Sequence, residues 1–339
     1  MKFVYDARCE DHVQWPGHPE RPERVKAIVE RLAAEAPRRK FLAPTAATKR
    51  DLMRVHDEAF VERLRQAKEG PLDADTFIHK GTYALALLAA GAALTGAREV
   101  VKGPEEVFAL TRPPGHHAGA DFAGGFCYFN NAAVAADFLS REEGLAPVAV
   151  VDFDVHHGNG TQAIFQKRRD IVYLSTHQWG IFPGTGAADE VGKGPGRGRT
   201  VNVPLPAGSG DRTFEVAWER IFLPVLEEAR PQAVVVSLGL DAHYEDPLAG
   251  LSLSSPAYIE MCRKVAEFAR KRARAKALFV LEGGYNLTAL GETVAGLAAT
   301  LEGRPAKTGL NTVADASGVG AKAVEEAAAV QRAHWALNA

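Results

Sequence analysis

The run Asp152-Phe153-Asp154-Val155-His156-His157 follows directly on the apolar residues Val148-Ala149-Val150-Val151. If the apolar run is a strand, residues two apart project to one face. Asp152, Asp154 and His156 then converge at its end, and Gly158 and Gly160 allow a sharp exit. Carboxylates and an imidazole held this way suit a divalent ion of borderline softness, zinc above all. The carboxyl end of a parallel strand is also where α/β proteins place their chemistry.

Three further polar stretches follow apolar runs in the same manner. They are Arg112-Pro113-Pro114-Gly115-His116-His117, Ser237-Leu238-Gly239-Leu240-Asp241-Ala242-His243 and Glu282-Gly283-Gly284-Tyr285. Each has an ordinary reading when taken alone. A histidine pair can be a surface turn, Asp241 a helix cap, and the glycines before Tyr285 mere loop formers. Jointly they are harder to explain as packing, because buried ionisable groups are costly unless paired or metal-bound.

The elements that must position these residues are read from hydropathy. Strands are expected at 2–6, 107–111, 148–152, 171–175, 233–238 and 277–281, most of them continuously apolar, as in a sheet covered on both faces. Helical patterns lie between. Asp211 is the expected cap of one helix, with Phe214, Ala217, Trp218, Ile221, Phe222 and Val225 on one face, and Pro224 should kink or end it. Ser255-Pro256 opens another, with Ile259, Cys262, Ala266 and Ala269 buried. This alternation predicts a doubly wound α/β fold, with a mostly parallel central sheet and helices on both faces, as a single domain over residues 1–339. The uncharged stretch 81–97 reads as a buried helix, short for a bilayer span of about 20 residues. Residues 184–199 are glycine-rich and read as a surface loop; they lack the Gly-Lys-Ser/Thr of a phosphate loop. The Ala-rich stretch from Gly318 is expected to be helical.

Composition narrows the function. Hydrophobic content of 46% and charged content of 24% are ordinary for a globular chain of 339 residues. A net charge of -2 gives no footprint for nucleic acid or an anionic membrane. The three cysteines form no Cys-x-x-Cys pair, so neither a disulfide framework nor a thiolate zinc site is indicated, and a reducing, cytoplasmic setting is expected. Lys2-Phe3-Val4-Tyr5-Asp6 is too short and too charged for the apolar core of a secretory signal.

Taken together, the motifs resemble the histone deacetylase superfamily. The likeness is strongest to its class II and bacterial branch, which includes histone deacetylase-like amidohydrolases and acetylpolyamine amidohydrolases. It is carried by His18-Pro19-Glu20-Arg21-Pro22-Glu23-Arg24, the Arg112 stretch, Gly124-Gly125-Phe126-Cys127-Tyr128-Phe129-Asn130-Asn131, the Asp152 stretch, Phe182-Pro183-Gly184-Thr185-Gly186, Asp241 with Asp246-Pro247, and Glu282 to Tyr285. The resemblance implies the arginase/deacetylase-like fold and a role for each matching residue. Asp154, His156 and Asp241 would be zinc ligands, His116 and His117 the tandem histidines, Asp152 the partner of His116, and Tyr285 the phenol that polarises the substrate carbonyl. Phe126 and Phe182, with Gly125 beside them, would wall the acyl-lysine tunnel. Asp152, Asp154, His156, Ser175 and Thr176 match one potassium site; Phe165, Arg168 and Ile171 match a second. Arg24 matches a buried arginine behind the active site. Asn159 stands where class I enzymes carry Asp, which fits the class II branch. Leu248 and Asp75 fall at the tunnel rim. Leu248 stands about where polyamine-selective eukaryotic relatives carry a glutamate, which weakens the polyamine reading. Substrates would be an acetyl-lysine side chain or a small acetylated amine, and hydroxamates would inhibit. A homo-oligomer is left open.

The chemistry of these residue types agrees. Three protein ligands leave zinc an open position for water. His117 can exchange protons with water and leaving amine, and Tyr285 can donate to a developing oxyanion. Two rivals stay in view. A binuclear manganese ureohydrolase shares the Asp-x-His cluster, but the positions where further bridging carboxylates belong are Gly158 and Gly239. A non-catalytic binder of acetylated amines would keep the pocket, although such proteins typically lose the phenol or a metal ligand.

Overall fold

The computed structural model describes residues 1–274, 276–310, 315 and 318–337. Runs of Val, Ile, Leu and Phe with no polar alternation need cover on both sides, and most of them lie in one sheet. In chain order the strands are β1 (Lys2–Val4), β2 (Phe41–Leu42), β3 (Gly70–Pro71), β4 (Phe77–Ile78), β5 (Val107–Ala109), β6 (Val148–Asp152), β7 (Ile171–Gln178), β8 (Thr200–Leu205), β9 (Ala233–Leu238) and β10 (Ala277–Leu281). Eight of them form a sheet in the order β2-β1-β5-β10-β9-β6-β7-β8. Every neighbouring pair in it is parallel. β3 and β4 pair antiparallel outside it.

Alternation along each strand builds two cores. Val151, Leu174, Val236 and Phe279 point to one face, under the helices Glu23–Glu35, Ser255–Arg272, Leu287–Leu301 and Ala321–Gln331. Val150, Tyr173, Val235 and Val280 point to the other, under Thr82–Lys102 and Asn131–Asp137. Each Val or Leu fully buried this way contributes about 1.5–3 kcal/mol. The helix Thr82–Lys102 is long and apolar enough to cross a membrane, but it buries Ala86, Ala90, Ala93, Leu94 and Ala97 inside this second core.

Several expectations shift locally. Asp211 is the first helical residue rather than the cap, which is Gly210; its carboxylate instead accepts from the Ser254 N–H and hydroxyl. Pro224 neither ends nor breaks the helix. A π-turn over Trp218–Phe222 resets the hydrogen-bond register, and Pro224 falls in the first turn of Leu223–Ala229, where no donor is demanded of it. The cap of Ser255–Arg272 is Ser254, one residue earlier than read, and Pro256 lies in the first turn.

Candidate active site

The strands of the large sheet all run parallel, so their carboxyl ends deliver polar residues to one edge of the sheet. Asp152 lies opposite Ser175 of β7 and Ser237 of β9. The strand stops at Asp152, so strand alternation does not place Asp154 and His156 as read from the sequence; a bend over 154–156 does. That bend separates Asp152 from the other two. Asp152 accepts from the Asp154 N–H (3.1 Å) and the Tyr173 hydroxyl (3.1 Å), and lies 3.2 Å from His116 Nδ1.

Asp154, His156 and Asp241 come together from distant segments, with ligand-capable atoms all within 4.8 Å of one another. His156 Nδ1 is 3.2 Å from Asp154 Oδ1 and 3.2 Å from Asp241 Oδ2. Backbone amides fix both carboxylates: Val155 N–H donates to Asp241 Oδ1 (2.9 Å), and Gly283 N–H to Asp154 Oδ2 (2.8 Å). Asp241 Oδ2 is buried and, apart from the 3.2 Å approach of His156 Nδ1, makes no hydrogen bond, which a cation shared by the three side chains would offset. Glycine is required around the cluster, since a Cβ at Gly283 would collide with Asp241 Oδ2 and one at Gly239 with Asp154 Oδ2. The same crowding leaves no room at Gly239 for the extra carboxylate a binuclear centre needs.

The electrostatics describe a cluster short of positive charge. Burial and the neighbouring Asp154 push the Asp241 carboxyl above its ordinary value. Burial opposes charge on His156 as well, but its two carboxylate partners win and raise it to about 10. Two carboxylates and one imidazole gathered this closely are a donor set that suits a divalent cation.

The histidine pair separates in the same way. His116 is raised to about 10, because Asp154 and Asp152 outweigh its burial. His117 is held well below the ordinary range by burial and by His116 and His156. Its Nδ1 sits 2.8 Å from Asn159 Oδ1. An amide oxygen only accepts, so Nδ1 carries the hydrogen and Nε2 a free lone pair.

Above this floor lies a cavity of about 280 Å³ lined by His116, His117, His156, Gly125, Phe126, Phe182, Tyr285, Leu248 and Asp75. Phe182 is 4.9 Å from the His117 ring, and Phe126 is 6.0 Å from the Tyr285 ring. Phe126 adopts a left-handed φ of 69°, unusual for a bulky residue. Its N–H is held by Thr76 Oγ1 (2.9 Å). A Cβ at Gly125 would lie 2.6 Å from His117 and 2.8 Å from Phe182, so only glycine lets the two approach. Tyr285 is 8% exposed, and burial drives its hydroxyl well above the usual phenol range, so it stays a neutral donor.

The potassium candidates lie in two places. Ser175 and Thr176 stand on β7 beside Asp152, and Thr176 Oγ1 is buried without a partner. Phe165, Arg168 and Ile171 form the turn into β7, at its opposite end; the Arg168 side chain is engaged by Asp137 and Asp170.

Sequence reading gave no role to several residues that shape the site. Trp15, His18 and Pro114 line the cavity. Glu282 accepts from the Gly115 N–H (2.6 Å) and the His116 N–H (3.1 Å), and so holds the histidine loop. Asp246 accepts from the Tyr285 N–H (2.7 Å). For Glu282 the available signal was an acidic residue directly after an apolar strand, which is seldom idle when buried.

A parallel α/β sheet with a three-donor metal cradle, paired histidines and a phenol at the base of a narrow cavity defines a class of amide-cleaving enzymes. The comparisons agree with that class. The histone deacetylase domain profile matches residues 18–301. A probable deacetylase of Archaeoglobus fulgidus is 40% identical over 309 residues, covering 89% of this chain and 86% of its own. A histone deacetylase-like amidohydrolase of Pseudomonas aeruginosa is 42% identical over 278 residues, covering 80% and 73%. The crystal structure of the HDA15 HD domain superposes with a TM-score of 0.89 at 34% identity, covering 98% of this chain and 94% of that one. The chain belongs to the histone deacetylase family, whose members are deacetylases and amidohydrolases that are zinc-dependent in general.

Proposed function

We propose that the protein is a zinc-dependent amidohydrolase that removes an acetyl group from the nitrogen of an aminoalkyl chain. The substrate is an acetyl-lysine side chain or a small acetylated amine. The observation that carries this reading is the convergence of Asp154, His156 and Asp241, with ligand-capable atoms within 4.8 Å of one another, at the base of a cavity that also holds His117 and Tyr285. Asp154, His156 and Asp241 would hold the metal. Bound there, zinc supplies Lewis acidity and makes water acidic enough to attack near neutral pH.

The residues of the chain do the rest. The apolar walls at Phe126 and Phe182 admit a slim alkyl chain and bring its terminal amide to the base. Tyr285, neutral and fixed by Asp246, donates to the carbonyl oxygen as charge grows on it. His117 Nε2 takes the proton from the attacking water and returns it to the departing amine nitrogen. His116, paired with Asp152, is the more basic of the two rings and is placed to stabilise negative charge. Asn159 orients His117 without the basicity a carboxylate would add.

The potassium sites at Asp152, Asp154, His156, Ser175 and Thr176, and at Phe165, Arg168 and Ile171, belong to the same reading, which the buried and unpartnered Thr176 Oγ1 supports at the first. A reducing, cytoplasmic compartment is supported by Cys9, Cys127 and Cys262, all free and buried. The test is hydrolysis of a fluorogenic acetyl-lysine peptide, acetylated polyamines and a small acetamide, with and without chelator. Turnover abolished by chelator, restored by zinc and inhibited by a hydroxamate is expected. A zinc-loaded protein inert toward all three would leave a non-catalytic binder.

A further inference from the structure

Phe182 forms one wall of the cavity and packs edge-on against His117, yet is 49% exposed, so that contact covers only part of it. The loop that follows it is held by a chain of hydrogen bonds. Gly186 N–H and Ala187 N–H both donate to Glu190 Oε1 (3.0 Å each). Glu190 Oε2 accepts from Gln162 Nε2. Gln162 Oε1 in turn accepts from Asn202 Nδ2 (2.8 Å) and lies 3.0 Å from His157 Nε2. His157 Nδ1 is 2.7 Å from Thr185 Oγ1, which returns the path to the loop where it began.

The donor inventory gives this circuit one direction. A carboxylate only accepts, so the amide of Gln162 must turn its NH2 toward Glu190 and its oxygen toward His157. His157 then carries its proton on Nε2, and its Nδ1 accepts from the Thr185 hydroxyl. Packing closes the arrangement, since a Cβ at Gly186 (φ 88°) would lie 2.6 Å from both His157 and His177. Gln162 belongs to the helix Asn159–Phe165, which also presents Asn159 to His117. One short helix therefore anchors both the His117 ring and the loop carrying Phe182.

We propose that Glu190 and Gln162 are positioning residues: their one-way hydrogen-bond circuit through His157 pins the 182–187 loop and sets the width of the acyl-chain tunnel. This rests on the amidohydrolase reading above. Neither residue lines the cavity, so the effect falls on substrate capture more than on the chemical step.

The circuit makes a reciprocal prediction. Glu190→Gln alone sets an NH2 against an NH2, and Gln162→Glu alone sets carboxylate against carboxylate. The double exchange Gln162→Glu with Glu190→Gln restores every donor to an acceptor. Amide exchange of the segment 179–190, read by mass spectrometry on the full chain, should be about tenfold faster in either single variant and return to the original rate in the double. With the fluorogenic acetyl-lysine peptide, KM should rise by about tenfold in the singles while kcat changes little, and the double should recover. Should a single variant fail to fold, recovery of folding and exchange in the double still decides the matter. Single variants that exchange like the parent, or a double no better than the singles, would overturn the circuit. If the parent protein turns over no acetylated substrate, the amidohydrolase reading fails, and the exchange result still decides the circuit.

Discussion

Two buried charge clusters lie back to back in this molecule, and they solve the same problem in opposite ways. Behind the site, Glu20 Oε1 accepts from Arg24 Nη1 (3.1 Å) and Arg112 Nε (2.7 Å). Arg24 donates onward to Gly284 O (2.6 Å) and stacks 4.9 Å over the Tyr285 ring, while Arg112 reaches Cys9 O (2.6 Å). Burial works against the Glu20 charge, but Arg112, His12 and Arg24 hold its carboxyl below the ordinary range. In front, among the described residues, the ion pairs of Asp152, Asp154 and Asp241 are with histidines, whose charge is conditional. Where the counter-charge is a permanent side chain, the cluster is framework. Where it is missing, the cluster is a place for a cation.

The sharpest way to break that contrast is to cut one carboxylate from each cluster. Asp241→Ala should abolish stoichiometric zinc binding and cut turnover by roughly a thousandfold or more, the scale of a lost Lewis acid. The metal-free fold should survive it, because a repelling buried carboxylate is gone. Glu20→Ala should instead strand two buried arginines and cost about 3–5 kcal/mol of stability. Metal analysis and thermal melts of the two variants decide; equal melting losses would erase the distinction.

Within the front cluster, the two histidines differ in charge and so in use. His117→Ala should lower turnover by about 10²–10⁴-fold near neutral pH, and by more than His116→Ala. A reversed order, measured as kcat at saturating substrate, would mean that the proton carrier has been assigned to the wrong ring. Tyr285→Phe should cost roughly a hundredfold, with zinc content unchanged, as for loss of one oxyanion donor. Turnover equal to the parent would remove the phenol from the mechanism.

The smallest effect lies away from both clusters. His56 is buried, with Nδ1 2.7 Å from Gly119 O and Nε2 accepting from the Asn130 N–H (3.0 Å). Burial lowers it to about 4, against 6.5 for the ordinary imidazole. Below pH 6.5 the unfolded chain takes up a proton that the fold refuses, so the His56 contribution is intact above pH 6.5 and is lost as pH falls toward 4. His56→Asn keeps a donor for Gly119 and cannot titrate. The melting-temperature advantage of the parent over this variant should therefore shrink between pH 6.5 and 4.

The sequence disclosed the sheet where strands are continuous and buried: 148–152, 233–238 and 277–281 match end to end. It missed Thr200–Leu205, where Pro204 and a preceding glycine-rich loop disguise a strand that tolerates proline because it lies at the sheet edge. The site was legible through residue types after strands, and the fold brings Asp154, His156, Asp241, the histidine pair and Tyr285 together. Strand alternation alone set Asp152 beside Asp154 and His156 on one face; a bend after β6, invisible to hydropathy, turns its carboxylate to His116, the partner the resemblance implied. The Glu190 circuit was unreadable for a related reason. Gln162 on a helix and Glu190 in a loop lie 28 residues apart, and no hydropathy period links them.

On the proposed reading, one metal ion held by Asp154, His156 and Asp241 gives the buried cluster its hydrolytic power. Titrating zinc into metal-free protein while following hydrolysis of an acetylated substrate tests it directly. Activity should rise from near zero and saturate at one zinc per chain. Activity indifferent to zinc, or saturating only at two ions per chain, would contradict it.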